Sequence, residues 1–375
     1  MRRTRTLVIG AALAAALGGA VLSAGASQTP QAPVFQVDPY WPRPLPNHWL
    51  FGSITGVAVD AHNNVWVVHR GAASMTARTE IGLATSPPTA ESCCAPAPFV
   101  LKFDSAGNLV GHWGGPGQGY DWPQSPGGIT VDGDGNVWIA AAGPADPLPG
   151  ARGRGASSQA PPPPDAHVLK FSGDGRFRLQ IGKPGQTGGD DSRTALHRPT
   201  AVDVDTAAGE VYVADGLGNH RIVVFDANTG AYKRHWGASG PIPFNAPACV
   251  KIAKDGLVYV CDRRNNRLQV FRKDGSFVRE AVIAKETRGE GAVWSVAFSS
   301  DARQRFLYVA DGSNQKVWVL DRPTLAIVSS VGAGGRWPGH FYGVGGVAVD
   351  SSGHLYTGET YEGKRLQKFV IKGAR

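Results

Sequence analysis

The sequence predicts an all-β protein, a six-bladed β-propeller, and three observations carry that prediction. Of 375 residues, 50 are Gly and 27 Pro, so about a fifth are backbone punctuators, beside 42% hydrophobic and only 18% charged residues. That mix excludes a coiled coil or helical bundle, which would be rich in Ala, Glu, Lys and Leu. It also excludes wholesale disorder, which combines few apolar residues with high net charge. Second, one short apolar strand recurs, as Gly56-Val-Ala-Val-Asp60, Gly128-Ile-Thr-Val-Asp132, Ala201-Val-Asp-Val-Asp205, Cys249-Val-Lys-Ile-Ala253, Ser295-Val-Ala-Phe-Ser299 and Gly346-Val-Ala-Val-Asp350. Third, each copy is followed by a strand headed by an aliphatic–aromatic pair: Val65-Trp66, Val137-Trp138, Val211-Tyr212, Val258-Tyr259, Leu307-Tyr308 and Leu355-Tyr356. The copies start 72, 73, 48, 46 and 51 residues apart, and periods of 40 to 50 residues with Gly/Asp turns are the mark of propeller blades.

Each remaining element follows from that frame. The two long offsets mark insertions of roughly 25 residues in blades one and two, at residues 71–97 and 143–165. Both follow a second strand, so both belong to one rim of the disc, and long loops grouped on one face commonly carry binding. Polar decoration is the alternative, above all for the segment holding Pro161–Pro164. The last blade ends at Lys364-Arg-Leu-Gln-Lys-Phe369, short of its outer strand, and Val34-Phe35-Gln36-Val37 is predicted to supply it. Such closure removes an exposed sheet edge, a standing aggregation hazard.

Ahead of the propeller, residues 2–5 carry three Arg, residues 7–22 are apolar and uncharged, and Ala24-Gly25-Ala26 offers small residues for cleavage. Residues 1–26 therefore read as a secretory signal peptide, too short in its apolar run to remain as a span, leaving 27–375 as a single propeller, secreted or periplasmic. Arg2-Arg3 suggests a twin-arginine signal, but its flanks fit poorly. Without Arg2, Arg3 and Arg5 the chain has 35 basic against 30 acidic residues. No clustered Lys/Arg run marks a nucleic-acid groove, and no second apolar stretch approaches the 18 residues of a membrane span. Disulfides persist in an oxidising compartment. Cys249 and Cys261 flank a hairpin tipped by Lys254-Asp255-Gly256, which suits either a cross-strand disulfide or two buried thiols. Adjacent Cys93 and Cys94 are expected to stay unbonded, because a bond would strain the peptide between them.

Blade three, Arg198-Pro-Thr-Ala-Val-Asp-Val-Asp followed by Val211-Tyr-Val-Ala-Asp-Gly-Leu-Gly-Asn-His-Arg-Ile-Val-Val-Phe225, resembles an NHL repeat, as do Asp262-Arg-Arg-Asn-Asn-Arg267 and Asp311-Gly-Ser-Asn-Gln-Lys316. Among NHL propellers the chain resembles the lyase that releases peptide amides, peptidyl-α-hydroxyglycine α-amidating lyase, through Val68-His69-Arg70-Gly71 and Val260-Cys261-Asp262-Arg263. The resemblance implies a zinc ion on the axis held by three His from different blades. The matching positions here are Gly127, Ala248 and Gly345, and a catalytic zinc needs about three protein ligands, so zinc is not expected in the family's way. The family's calcium-binding Asp matches Gly346, its proposed general-base Tyr matches Leu217, and its disulfides match His197/Gly218 and Tyr259/Val270. Its two funnel arginines persist as Arg70 and Arg263.

Two guanidiniums at the funnel suit bidentate capture of a carboxylate, as on a peptide end; the alternative is that each pairs with an acid of a neighbouring blade. Asp215, Asp262, Asp311 and Glu359 take equivalent places in four blades, with His69 in that place in blade one. Acids converging on an axis repel unless they share a cation, which points to calcium on oxygen ligands. The alternative is that each ties loops together with the basic residue five or six positions on, Arg221, Arg267, Lys316 or Arg365. His220 belongs to the repeat signature, and a soft-metal site of Cys249, Cys261 and His69 is a lesser option. Three functions follow: a propeller binding a small carboxylate, a peptide or a protein partner at its funnel; an enzyme, either an amidating lyase with relocated ligands or a metal-dependent hydrolase or lactonase; and a protein-interaction scaffold.

Overall fold

The computed structural model describes residues 31–374 except 78 and 144–162. Residues 1–26, read from the sequence as a signal peptide, and most of the second insertion lie outside these. Among the described residues there are six four-stranded sheets and one small two-stranded pairing, with three short 3-10 turns and no α-helix. The chain is a six-bladed β-propeller, as its repeat predicts.

The inner strands are Ile54–Val59, Pro126–Val131, Ala201–Asp205, Pro247–Ile252, Ser295–Phe298 and Val344–Val349. The second strands Val65–His69, Val137–Ala141, Val258–Asp262 and Leu355–Glu359 are buried at every residue. Sheets covered on both faces select continuous apolar runs over alternation, which is why these strands stand out in the sequence. Outer strands such as Phe277–Val282 are half solvated. Blade six is completed by Pro33–Asp38, antiparallel to Leu366–Ala374, with Val37 opposite Phe369.

Six apolar clusters hold the ring, each bridging two neighbouring blades and each containing one aromatic from the repeat: Trp66, Trp138, Tyr212, Tyr259, Tyr308 or Tyr356. A buried Trp or Tyr needs a partner for its polar end. In blades one, two and six the Asp closing the inner strand provides it: Trp66 Nε1 and Trp138 Nε1 donate to Asp60 and Asp132 at 2.9 Å, and Tyr356 OH donates to Asp350 at 2.9 Å, whereas Tyr212 OH donates to Glu210 at 2.8 Å and Tyr259 OH accepts from Arg322 at 3.2 Å. The same Asp60 accepts the N–H groups of His62 and Asn64 at 2.9 Å and so sets the hairpin turn. In those three blades one residue thus fixes both turn and interface, and the strand–Asp–turn–aromatic pattern recurs there for that reason.

The first insertion holds the turns Gly71–Ser74 and Gly82–Ala84, and its strand Ala95–Pro96 runs parallel to Trp49–Leu50. Cys93 and Cys94 are joined, a correction to the expectation of two thiols: a cis peptide sets their Cα atoms 3.1 Å apart, with the sulfurs side by side.

Candidate functional site

The residue preceding the repeat in each inner strand reaches the axis. Around the ring these are Thr55, Gly127, Thr200, Ala248, Trp294 and Gly345, and all six line one axial cavity of about 200 Å³. Large and small alternate from blade to blade. Deeper in, the wall is aliphatic, from Val57, Ile129, Val202, Val250 and Val347.

The upper wall is charged. Arg70, directly after the strand Val65–His69, and Arg263, opening the turn Arg263–Asn265, both line the cavity. Arg198 joins them. It sits in the loop leading into blade three with a left-handed backbone, φ 56°, and its Nε donates to the Ala142 carbonyl at 3.2 Å. Glu290 forms an ion pair with Arg263 and accepts from Arg264 at 3.1 Å. The Arg263 guanidinium also lies 4.8 Å over the Trp294 ring, so a carboxylate and an aromatic face orient it together. Tyr361 completes this wall, and its hydroxyl pKa is raised, first by burial and then by the charge of Glu290, against the opposing pull of Arg263 and Arg70.

The acids of the repeat do not converge on the cavity. Asp215 accepts the His197 N–H at 2.8 Å, Asn219 at 2.7 Å and Arg221 Nε at 3.0 Å. Asp262 accepts the Asn245 N–H at 2.7 Å and Arg267 Nε at 2.6 Å. Glu359 accepts the Tyr342 N–H at 2.9 Å and Arg365 Nε at 2.7 Å. Asp311 is taken by Asn314 and by Trp318 Nε1, both within 2.9 Å, while Lys316 lies over the Trp318 ring instead of pairing. In three blades, then, the acid grips the amide of the loop arriving from the previous blade. His69 does the same in blade one: Nδ1 accepts the Gly52 N–H at 3.1 Å and the Gly71 N–H at 3.0 Å, and Nε2 donates to Pro98 O at 2.9 Å. Burial lowers its pKa to about 4, so the ring is neutral. Burial raises Asp215, Asp262 and Asp311, against their hydrogen bonds. Among the described residues no group of three or more His, Cys, Asp or Glu is placed to hold a metal.

Gly127, Ala248 and Gly345 bring no donor to the axis. The Gly128 N–H donates to Thr200 O at 2.7 Å, drawing two inner strands together, and a Cβ on Gly127 would stand 2.6 Å from that same oxygen. Any larger residue there needs the backbone to move. Gly345 is roomier: its Cβ would meet Thr360 Cγ2 at 3.3 Å. The positions carried over for disulfides are neighbours, with Gly218 N–H donating to His197 O at 3.0 Å and Tyr259 opposite Val270. Cys249 and Cys261 lie opposite one another in blade four and are bonded; Leu217, at the Tyr position, lines the cavity.

Sequence reasoning missed Arg198, Glu290, Trp294 and Tyr361 as members of the site. Setting the residues before the six copies of the repeat side by side would have found Trp294. The other three lie in connections, outside the strand repeat.

The ring is a six-bladed β-propeller that carries NHL repeats: the NHL repeat family model matches residues 196–225 and 244–271, in blades three and four. It is 28% identical over 250 residues to NHL repeat-containing protein 3 of Mus musculus, covering 64% of this chain and 58% of that protein. It is 28% identical over 247 residues to peptidyl-glycine alpha-amidating monooxygenase A of Xenopus laevis, covering 61% of this chain and 22% of that one. It thus spans little more than half of the first relative and under a quarter of the second. In fold it is similar to a streptogramin B lyase structure (TM-score 0.51, 12% identity, covering 90% of this chain and 98% of that one). A protein of unknown function from Bacteroides thetaiotaomicron is similar too (TM-score 0.53, 15% identity, 86% and 70% covered).

Proposed function

We propose that this NHL propeller is an exported binding protein whose funnel captures a carboxylate, either a small acid with an apolar body or the C-terminus of a peptide, without the zinc chemistry that the lyase resemblance implies. The observation that carries the reading is the set of three arginines, Arg70, Arg198 and Arg263, on one cavity whose ligand positions Gly127, Ala248 and Gly345 offer no donor. A guanidinium fork matches a carboxylate bidentately, and Glu290 and Trp294 hold Arg263 before a ligand arrives, which lowers the ordering cost of binding. The aliphatic lower wall suits an apolar body beneath the charged head. Residues 1–26, read as an export signal, and two disulfides agree with a secreted or periplasmic location. Among the described residues no helix is long and apolar enough to cross a membrane.

Calorimetry with Ala-Leu as free acid and as C-terminal amide tests the reading, alongside metal analysis of the purified protein. The free acid binds, the amide does not, and Arg70→Ala or Arg263→Ala weakens binding roughly tenfold or more, the weight of a charge-assisted hydrogen bond. Equal binding of acid and amide, or indifference to both substitutions, overturns it. Stoichiometric zinc with cleavage of an α-hydroxyglycine peptide would establish the lyase instead.

A further inference from the structure

Above blade six the structure presents an aromatic surface that the funnel does not use. Trp337 is 78% exposed and Tyr342 42% exposed, yet the loop presenting them is tied down along its length. Arg365 donates to the carbonyls of Arg336 at 2.6 Å and His340 at 2.8 Å. Gln367 donates to His340 O at 2.9 Å and accepts the Gly339 N–H at 2.9 Å, and Phe341 is fully buried beneath. The exposed Arg336 guanidinium lies 4.2 Å over the Tyr342 ring. Trp, Tyr and Arg are the side chains that anchor interfaces, and a fixed backbone removes much of the ordering cost.

Position ties this surface to the funnel. A Cβ on Gly339 would lie 3.3 Å from Val37, in the outer strand of blade six, so the Trp337 end sits at the rim. Tyr342 is bonded to Glu359, two residues from Tyr361 on the cavity wall. Tyr361, Tyr342, Arg336 and Trp337 therefore follow one another from axis to rim.

We infer that these residues form the outer stretch of a peptide track. A peptide whose C-terminal carboxylate enters the funnel runs outward over blade six, placing an acidic side chain at Arg336 and an apolar one on Trp337. The inference rests on the carboxylate reading above and narrows its ligand to a peptide. Three strand spacings separate the inner and outer strands of blade six, about 14 Å at the usual spacing, which an extended chain covers in about four to five residues.

The experiment is calorimetry with alanine-based free-acid peptides of about two to ten residues, carrying Asp and Leu upstream of the C-terminus. Affinity rises about tenfold between dipeptide and hexapeptide and then levels. Trp337→Ala, a change at an exposed side chain that leaves thermal stability intact, removes this gain and leaves dipeptide affinity unchanged. A flat length series, or a gain that survives Trp337→Ala, overturns the track while dipeptide binding keeps the funnel reading in place. Failure of every free-acid peptide to bind overturns the funnel reading and the track with it.

Discussion

Replacing Asp215 with Ala separates a latch from a metal ligand, because the two roles respond differently to a chelator. Asp215 is fully buried and accepts three hydrogen bonds, from the His197 N–H, Asn219 and Arg221. Without it the Arg221 guanidinium, itself 1% exposed, keeps its charge and loses its counterion. Breaking a buried pair by removing one partner costs about 3–5 kcal/mol. Arg221 still donates to the carbonyls of Asp190 and Ala195 at 2.7 Å, which favours the lower figure, about 3 kcal/mol. At about 2.1 cal/mol/K per residue, the unit Gln31–Arg375 has an unfolding entropy of about 0.7 kcal/mol/K, so Tm falls by about 4 °C. Calorimetric scans of parent and variant, each with and without EDTA, provide the assay. The latch predicts a drop in the variant and no effect of EDTA on the parent. A parent that EDTA destabilises as much as the substitution does would refute the latch and restore the cation.

Gly127→Ala forces a Cβ to 2.6 Å from Thr200 O and lowers stability by about 1–3 kcal/mol as overpacking does, whereas Gly345→Ala, with 3.3 Å to a methyl, stays within about 1 kcal/mol; paired urea titrations compare them. The His69 pKa is lowered to about 4 from 6.5. Between those values the unfolded chain binds a proton that the folded chain refuses, so stability is complete above pH 6.5 and falls by about 3 kcal/mol on acidification to pH 4. His69→Gln flattens that portion of the Tm–pH profile. Replacing Cys249 and Cys261 together with Ser opens a loop of sequence separation 12 and costs about 3 kcal/mol by loop entropy, read in non-reducing urea titrations.

The ring was legible because its grammar is local. Asp60, Asn64 and Trp66 form one hydrogen-bonded unit inside a hairpin, so the spacing that makes the turn is also the spacing that a reader of the sequence sees. Closure was legible for a similar reason: Leu366–Ala374 lacked an outer neighbour, and Val37 had the alternation to be one. The latch role of Asp215, Asp262 and Glu359 was legible as one of two readings, through Arg221, Arg267 and Arg365 five or six positions on, but the loop amide that each grips was not. Asp215 and Arg263 stand at corresponding strand ends, and the period brings both near the funnel face. Which one turns to the axis depends on the pleat and on the amide waiting at His197 or elsewhere in the arriving loop, and no repeat encodes that. Arg198 was hidden because its aim comes from a positive φ in a loop, and Glu290 because it reaches the axis from a connection through its pairing with Arg263.

Latch and funnel are thereby two chemistries on one scaffold. The latch side chains point within their blades and join loop to sheet, so their loss is felt as stability. Of the residues that precede the repeat, Thr55, Ala248 and Gly345 carry little of that burden, since they occupy the same geometric place with unrelated side chains. Such positions can change donor set without disturbing the ring, and these three of the six support that freedom. Trp294 is held by the core of blades five and six, Thr200 by hydrogen bonds from its hydroxyl to Ala214 O at 3.0 Å and Pro247 O at 2.7 Å, and Gly127 is held small by the Thr200 carbonyl that binds the second blade to the third. Rebuilding a three-histidine axis would therefore meet little steric resistance at Gly345, while at Gly127 it would first have to push neighbouring inner strands apart.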